Sequence, residues 1–213
     1  YFLICWVSAP PLPYQSNKAN PMNLKLIAIK LFLVTVFFSI QIGFGWVYSR
    51  RFLREKNLLL LIPLSIIIGI SFYTTLLNLL SYMVPITISF YLVLFILIFL
   101  ALTIYWVLPD GGDIAWDLDK QSTRWLIVSL TMVLIIGLFI DQGIVIFYEQ
   151  FSRAFIATIA RGNFPVKYPW APDFAAQYHY GPLLFGAAAH RVSGLETYWI
   201  LDLISLLLTG TIF

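Results

Sequence analysis

The chain has 213 residues, of which 61% are hydrophobic and 11% are charged. Soluble domains average about 45–50% apolar and about 25% charged residues, so a soluble fold of this length could not bury so much apolar surface. The composition therefore predicts an all-α, polytopic membrane protein whose apolar helices are solvated by lipid. The net charge of +3 comes from dispersed basic residues, so we expect no nucleic-acid partner.

Residues 1–23 are expected to form a polar, proline-containing tail ahead of the helices. Met22 follows the proline-containing stretch 10–21 and is a candidate start of the protein. The apolar run at the other end is unfinished at Phe213, so we expect the sequence to be part of a longer protein. Cys5 is the single cysteine, which excludes a disulfide within the chain and a cysteine-based zinc site.

Four apolar segments reach the length of about 20 residues that a membrane span requires. They are residues 24–47, 58–80, 86–108 and 125–147. A further span begins in residues 196–213, and the apolar run 182–192 is too short to cross. Aromatic residues near the predicted helix ends are typical of interfacial anchors: Trp46, Tyr48, Tyr82, Trp106, Trp125 and Tyr148.

The loops predict an orientation. Residues 49–56 carry four basic side chains, which favours the cytoplasmic side. Alternation then places the acidic loop 109–124 in the cytoplasm as well, where its sequence Asp110-Gly111-Gly112-Asp113 is interpreted as a turn and not as a metal loop. Residues 148–195 consequently form a long extracytoplasmic loop with short interfacial helices.

That extracytoplasmic loop has three parts. An amphipathic helix lying in the membrane interface, with its apolar side toward lipid, is predicted from residues that recur at helical spacing: Phe151, Ala154, Phe155, Thr158 and Ile159. A loop at 164–177, stiffened by prolines and rich in aromatic residues, follows. The sequence from Tyr178 to Pro182 then leads into a short helix of small residues, which ends at Ser193-Gly194.

Three motifs follow one another in this loop: Gly162-Asn163-Phe164-Pro165, Pro169-Trp170-Ala171-Pro172 and Tyr178-His179-Tyr180-Gly181. In this order, after an acidic helix end, they resemble the GT-C superfamily of membrane glycosyltransferases. The closest likeness is to the dolichyl-phosphate-mannose mannosyltransferase-like and RgtA/B/C/D-like group, and it covers residues 141–213. These enzymes take a sugar from a polyprenyl-phosphate donor.

The resemblance implies a carboxylate at the outer membrane face that acts as base toward the acceptor hydroxyl. Glu149 occupies the matching position, and Asp141, about two helical turns earlier, is the alternative acid. Cations would meet the donor phosphate, and aromatic rings would stack on sugar. The candidate residues for these contacts are His179, Arg153, Lys167, Tyr178, Tyr180, Arg161 and Trp170.

The implied partners are a polyprenyl-phosphate sugar donor, membrane lipid and a glycan, lipid or protein acceptor. Members of the family differ in whether they need a divalent metal ion, so metal-dependent and metal-independent transfer both stay open, and no metal ligand is identified. The expected location is the bacterial plasma membrane, with several spans and an extracytoplasmic active face.

Simpler interpretations of the same residues remain open. Glu149 and Arg153 are four residues apart, which also fits an ion pair within one helix. Lys167 and Arg161 also fit contacts with anionic lipid, and His190 and Arg191 are expected to reach lipid head groups. The alternative functions are a transporter-like bundle, with Asp141, Glu149 and Asp202 on a permeation path, and a non-catalytic membrane helix bundle.

Overall fold

A computed structural model describes residues 24–114, 146–175 and 180–212, together with Arg124, Val128, Thr131 and Ile135. Side chains are described in these ranges except at 146–151, 172 and 208–212. The described chain is mostly helical, as predicted. Three of its helices are long and apolar enough to cross a membrane: α1 (Leu24–Arg51), α2 (Leu58–Leu80) and α3 (Ile86–Val107).

The remaining elements are shorter. They are α4 (Ile146–Ala160), the strands β1 (Lys167–Tyr168) and β2 (Ala171–Ala175), α5 (Gly181–Ser193) and α6 (Thr197–Ile212). Of the predicted span at 125–147, the structure describes Val128, Thr131 and Ile135, all helical, and the start of α4; the rest lies outside the described residues. Helix α1 also continues through Arg50 and Arg51, which the sequence assigned to a loop.

Helices α1 and α2 pack closely because glycine lies at both contact points. A Cβ built on Gly45 would lie 1.9 Å from the carbonyl oxygen of Ser65. A Cβ built on Gly69 would lie 2.1 Å from the carbonyl oxygen of Gln41. Small residues four apart allow helix backbones in lipid to approach this closely. The two contacts also fix the antiparallel register of α1 and α2.

One end of the bundle is held by arginines at the end of α1. Arg50 pairs with Asp110 at 3.3 Å and donates to the Gly112 carbonyl at 2.6 Å. Arg51 donates to the Leu108 carbonyl, and its guanidinium carbon lies 4.1 Å from the centre of the Tyr105 ring. We call this the Arg50 end. The Asp110–Asp113 segment is thus held against the end of α1 without regular secondary structure, and Gly112 has a positive φ of 85°.

Helix α5 lies in the centre of the described bundle. Its residues 183–189 are all buried, and it packs on α1, α2, α4 and α6. The ring of Phe185 lies 5.4 Å from Phe37, 5.7 Å from Phe38 and 5.8 Å from Tyr73, between ring centres. A helix segment that is apolar on every side must be covered by protein or by lipid, and the middle of α5 is covered by protein.

Helix α5 runs obliquely across α1 and α2. Its first residue, Gly181, lies next to Thr74, and Gly194, just beyond its last residue, lies next to Lys30. Thr74 of α2 and Lys30 of α1 lie at heights in the bundle that differ by about six helical residues, or about 9 Å. A helix of 13 residues is about 20 Å long, so α5 must be tilted against α1 and α2. The prediction that this segment is a helix too short to cross is confirmed.

Helix α4 turns its apolar side toward protein and not toward lipid, so the sequence expectation is wrong on this point. The buried residues among the described side chains are Ser152, Phe155, Ile156, Ile159 and Ala160, whereas Ala154 and Thr158 of the predicted stripe are half-buried. They face α5 and α6. The physical reason is the small-residue surface of α5, where Gly186 leaves room for the Ile156 side chain.

Strands β1 and β2 form an antiparallel hairpin within the proline-rich loop, pairing Lys167 with Ala175 and Tyr168 with Ala171. The loop before the hairpin is close to the turn between α2 and α3, where the rings of Phe164 and Tyr82 are 5.0 Å apart. Tyr180 reaches the same region. We call this the Tyr82 end; it is opposite to the Arg50 end.

Candidate functional site

The main candidate site is a groove at the Tyr82 end, between α2 and the start of α5. Its upper part has a volume of about 430 Å³ and is lined by Thr74, Thr75, Asn78, Leu79, Tyr180, Gly181, Pro182 and Leu184. The polar side chains come from the last two turns of α2 and from the residue that precedes α5. We call it the α2–α5 groove.

The α2–α5 groove continues along α2 away from the Tyr82 end. A second cavity of about 290 Å³ shares Thr74, Thr75, Gly181 and Pro182 with the first and adds Ile70, Ser71, Phe185 and Ile204. Helix α6 supplies Ile204 to this part of the groove. The groove is therefore mostly apolar along its length, with Asn78 and Tyr180 as hydrogen-bonding side chains at its Tyr82 end.

Tyr180, which directly precedes α5, links the loop of residues 148–195 to α2 at the Tyr82 end of the groove. Its hydroxyl donates to the Oδ1 atom of Asn78 at 3.3 Å. Burial, and then a hydrogen bond with Tyr82, raises the pKa of the Tyr180 hydroxyl above its ordinary value of 10.0. At neutral pH the group is a neutral phenol, able to donate or to accept.

A cluster of aromatic rings connects the hairpin to α4. The ring centres of Phe155 and Tyr168 are 5.8 Å apart, those of Phe155 and Trp170 are 5.6 Å apart, and those of Tyr168 and Trp170 are 5.5 Å apart. Phe155 is buried, whereas Trp170 is 57% exposed. The hairpin is thus attached through one face of its aromatic residues while the other remains accessible.

The basic side chains that were predicted to contact the donor phosphate lie in different parts of the structure. Arg153 of α4 is half-buried, and its guanidinium carbon lies 5.3 Å from the centre of the Tyr198 ring of α6. Arg161 and Lys167 are exposed, and neither forms an ion pair within the described part of the chain. The backbone of Lys167 is fixed by Asn163, whose amide donates to its carbonyl at 2.8 Å.

Several predicted site residues cannot be placed. Asp141, Tyr178 and His179 lie outside the described residues. Glu149 belongs to α4, but its side chain is not among those described. The assignment of a catalytic carboxylate, and the alternative ion pair with Arg153, therefore both stay predictions.

Two other polar residues, His190 and Asp202, lie in α5 and α6. The Nδ1 atom of His190 lies 2.6 Å from the carbonyl oxygen of Leu195, so His190 closes the end of α5 and does not reach toward head groups as expected. Asp202 is half-buried in α6. Within the described ranges, no group of three or more His, Cys, Asp or Glu side chains is arranged to hold a metal ion.

Sequence reasoning missed the contribution of α2 to the groove. Thr74 and Asn78 are spaced four apart in an otherwise apolar span, which places them on one face of the helix. That spacing was a usable signal, because polar side chains in a span usually face protein or a cavity. Tyr82, interpreted only as an interfacial anchor, belongs to the same polar cluster.

Comparisons with models of protein families, with curated proteins and with solved structures find no match to this chain.

Proposed function

We propose that the protein is a membrane glycosyltransferase of the GT-C type, which moves a sugar from a polyprenyl-phosphate-linked donor to an acceptor at the extracytoplasmic face. The observation that supports this best is the α2–α5 groove, which is mostly apolar and carries the side chains of Asn78 and Tyr180 at its Tyr82 end. An amphiphile with a polar head and a long hydrocarbon tail matches such a groove. The reaction class comes from the three successive motifs between Gly162 and Gly181, whose order resembles the GT-C superfamily.

The donor would lie along the groove. Its isoprenoid chain would pack on Ile70, Phe185 and Ile204, where burial of apolar surface stabilises by about 25 cal/mol per Å². Its polar head would meet Asn78 and Tyr180, which carry hydrogen-bonding groups at the Tyr82 end of the groove. This arrangement would leave the sugar below the hairpin.

In the proposed reaction the acceptor oxygen attacks the anomeric carbon and the donor phosphate leaves. Glu149, with Asp141 as the alternative, would remove the proton of the acceptor hydroxyl. His179, Arg153 and the exposed cations Lys167 and Arg161 are the proposed contacts for the phosphate. Tyr178, Tyr180 and Trp170 are the proposed contacts for the sugar ring.

The proposed setting is a multi-pass protein of the bacterial plasma membrane. Arg50, Arg51, Arg54 and Lys56 cluster at the Arg50 end, which favours the cytoplasm for that end. The Tyr82 end, with the groove and the hairpin, would then face outward, where lipid-linked sugars would be consumed.

The test is a transfer assay with a radiolabelled polyprenyl-phosphate sugar and the protein in native membranes. Glu149→Gln and Asp141→Asn keep size and remove charge, so we expect one of them to lower kcat by about 10² to 10⁴. Asn78→Leu is expected to raise KM for the donor. Wild-type transfer in both carboxylate variants would eliminate the base assignment, and absence of transfer by the wild type would remove the proposal itself.

The transporter-like alternative draws on a different observation. Gln41 lies in the middle of α1, is fully buried, and neither polar atom of its side chain has a hydrogen-bond partner in the described part of the chain. Transporters place substrate sites at this depth. Gln41→Met would remove the unsatisfied amide. If Gln41 has no role, the variant should be more stable by about 1–3 kcal/mol and fully active, whereas loss of solute uptake in vesicles would favour transport.

A further inference from the structure

The hairpin formed by β1 and β2 exposes aromatic surface. Phe174 is 68% exposed and Trp170 is 57% exposed. Phe174 is part of β2 and Trp170 precedes it, so both side chains are displayed by a short sheet with a defined shape. Together the two exposed rings offer apolar surface whose burial in a lipid layer would be favourable.

The hairpin lies at the level where two of the long apolar helices end. Phe164, three residues before β1, contacts Tyr82 in the turn between α2 and α3. Tyr82 and Met83 in that turn are themselves highly exposed. If α2 and α3 cross a bilayer, this turn and the hairpin lie at one membrane–water interface, the layer that aromatic side chains prefer.

The charges around the hairpin suit the same layer. Arg161 and Lys167 are exposed and form no ion pair within the described residues, and Asp173 is the one acidic residue that the hairpin carries. Basic side chains beside exposed aromatic rings are the composition of segments that bind membranes containing anionic lipid.

We propose that the β1–β2 hairpin is a membrane-interface anchor: Phe174 and Trp170 enter the head-group layer of the bilayer, and Arg161 and Lys167 contact lipid phosphates. The hairpin takes the interfacial role that we predicted for α4 from its sequence; the apolar side of α4 is instead covered by α5 and α6. The inference rests on the membrane setting and does not require the transferase proposal; if both hold, Arg161, Lys167 and Trp170 contact bilayer lipid and not the sugar donor.

Cys5 is the single cysteine of the chain, so replacing it allows one labelling site to be introduced at a time. In a Cys5→Ser background, Phe174→Cys is labelled with an environment-sensitive fluorophore after reconstitution into vesicles of phosphatidylcholine and phosphatidylglycerol. Asp173→Cys is the matched control, because neighbouring residues of a strand point to opposite faces. We expect nitroxide-labelled lipid to quench the probe at 174 about twofold or more over the probe at 173, and iodide to show the reverse order.

Equal quenching by iodide at both positions would overturn the proposal. Shielding at position 174 that occurs only after a soluble oligosaccharide is added would also overturn it and would assign the hairpin to glycan binding. As a second variant, Arg161→Gln combined with Lys167→Gln should lower lipid quenching at 174 in vesicles with phosphatidylglycerol and leave it unchanged in phosphatidylcholine alone. The same loss in both vesicle types would contradict the phosphate contacts.

Discussion

Glycine residues decide where α1 and α2 meet, because a Cβ built on two of the three glycines in these helices would lie closer than van der Waals distance to a backbone carbonyl oxygen. Gly43 differs, since a Cβ built there meets nothing within 4 Å. The same residue type therefore has different consequences within one turn of α1. This contrast supplies an internal control for the packing.

Gly45→Ala should separate α1 from α2. The added methyl cannot avoid the Ser65 carbonyl, so we expect a loss of about 1–3 kcal/mol, the usual effect of overpacking. Gly43→Ala should be neutral or slightly stabilising, since alanine favours a helix over glycine. The measurement is the fraction of monodisperse protein that remains in detergent after heating. Equal midpoints for the two variants would refute the close contact.

At the scale of elements, α4 and α5 fit because a glycine of one faces an isoleucine of the other. A Cβ built on Gly186 would lie 2.8 Å from the Cδ1 atom of Ile156. The obstacle is the end of a side chain and not backbone, so it can be removed by shortening that side chain.

We predict that Gly186→Ala destabilises the protein by about 1–3 kcal/mol and that adding Ile156→Val restores part of the loss. Ile156→Val alone should cost about 0.5–1.5 kcal/mol, because it removes one buried methyl group. Thermal inactivation of the two single variants and the double variant completes the cycle. Strictly additive losses would show that these two side chains do not meet.

A second element-scale prediction concerns Tyr180, which joins the start of α5 to α2. Its pKa is raised on folding, so the folded state holds the proton more tightly. Its contribution to stability is therefore complete below about pH 10 and is lost as the pH rises through the folded pKa. Tyr180→Phe should show a smaller decline in stability above pH 10 than the wild type.

The elements differ in how far the sequence could predict them. Spans α1, α2 and α3 follow from length and composition, because any helix that crosses a bilayer needs a long apolar run, whatever it packs against. The buried stripe of α4 depends on the shape of α5 and could not be obtained from the apolar pattern of α4 itself. The pairing of Asn78 with Tyr180 joins residues 102 positions apart, which local spacing does not encode.

At the scale of the whole molecule, the two ends of the bundle are chemically distinct. The Arg50 end gathers basic side chains and the short segment near Asp110, whereas the Tyr82 end gathers the groove, the aromatic hairpin and hydroxyl groups. The sequence predicted this division from loop charges, because basic residues resist transfer across a membrane. It could not predict that α5 would return into the bundle as a central helix.

Cysteine labelling in intact cells tests the proposed orientation. In a Cys5→Ser background, Met83→Cys should react with an impermeant maleimide from outside. Arg54→Cys should react only after the cells are made permeable. Both positions are exposed, so reactivity reports the side of the membrane and not burial. The opposite pattern would invert the orientation and with it the extracytoplasmic active face.

The central position of α5 constrains how the protein is made. Its partners are α1, α2 and α4, which are synthesised earlier, and α6, which is synthesised later. During synthesis the side of α5 that faces α6 therefore remains uncovered until α6 emerges. A chain truncated after residue 196 should thus be open to protease at α5, and restoring α6 should close that site.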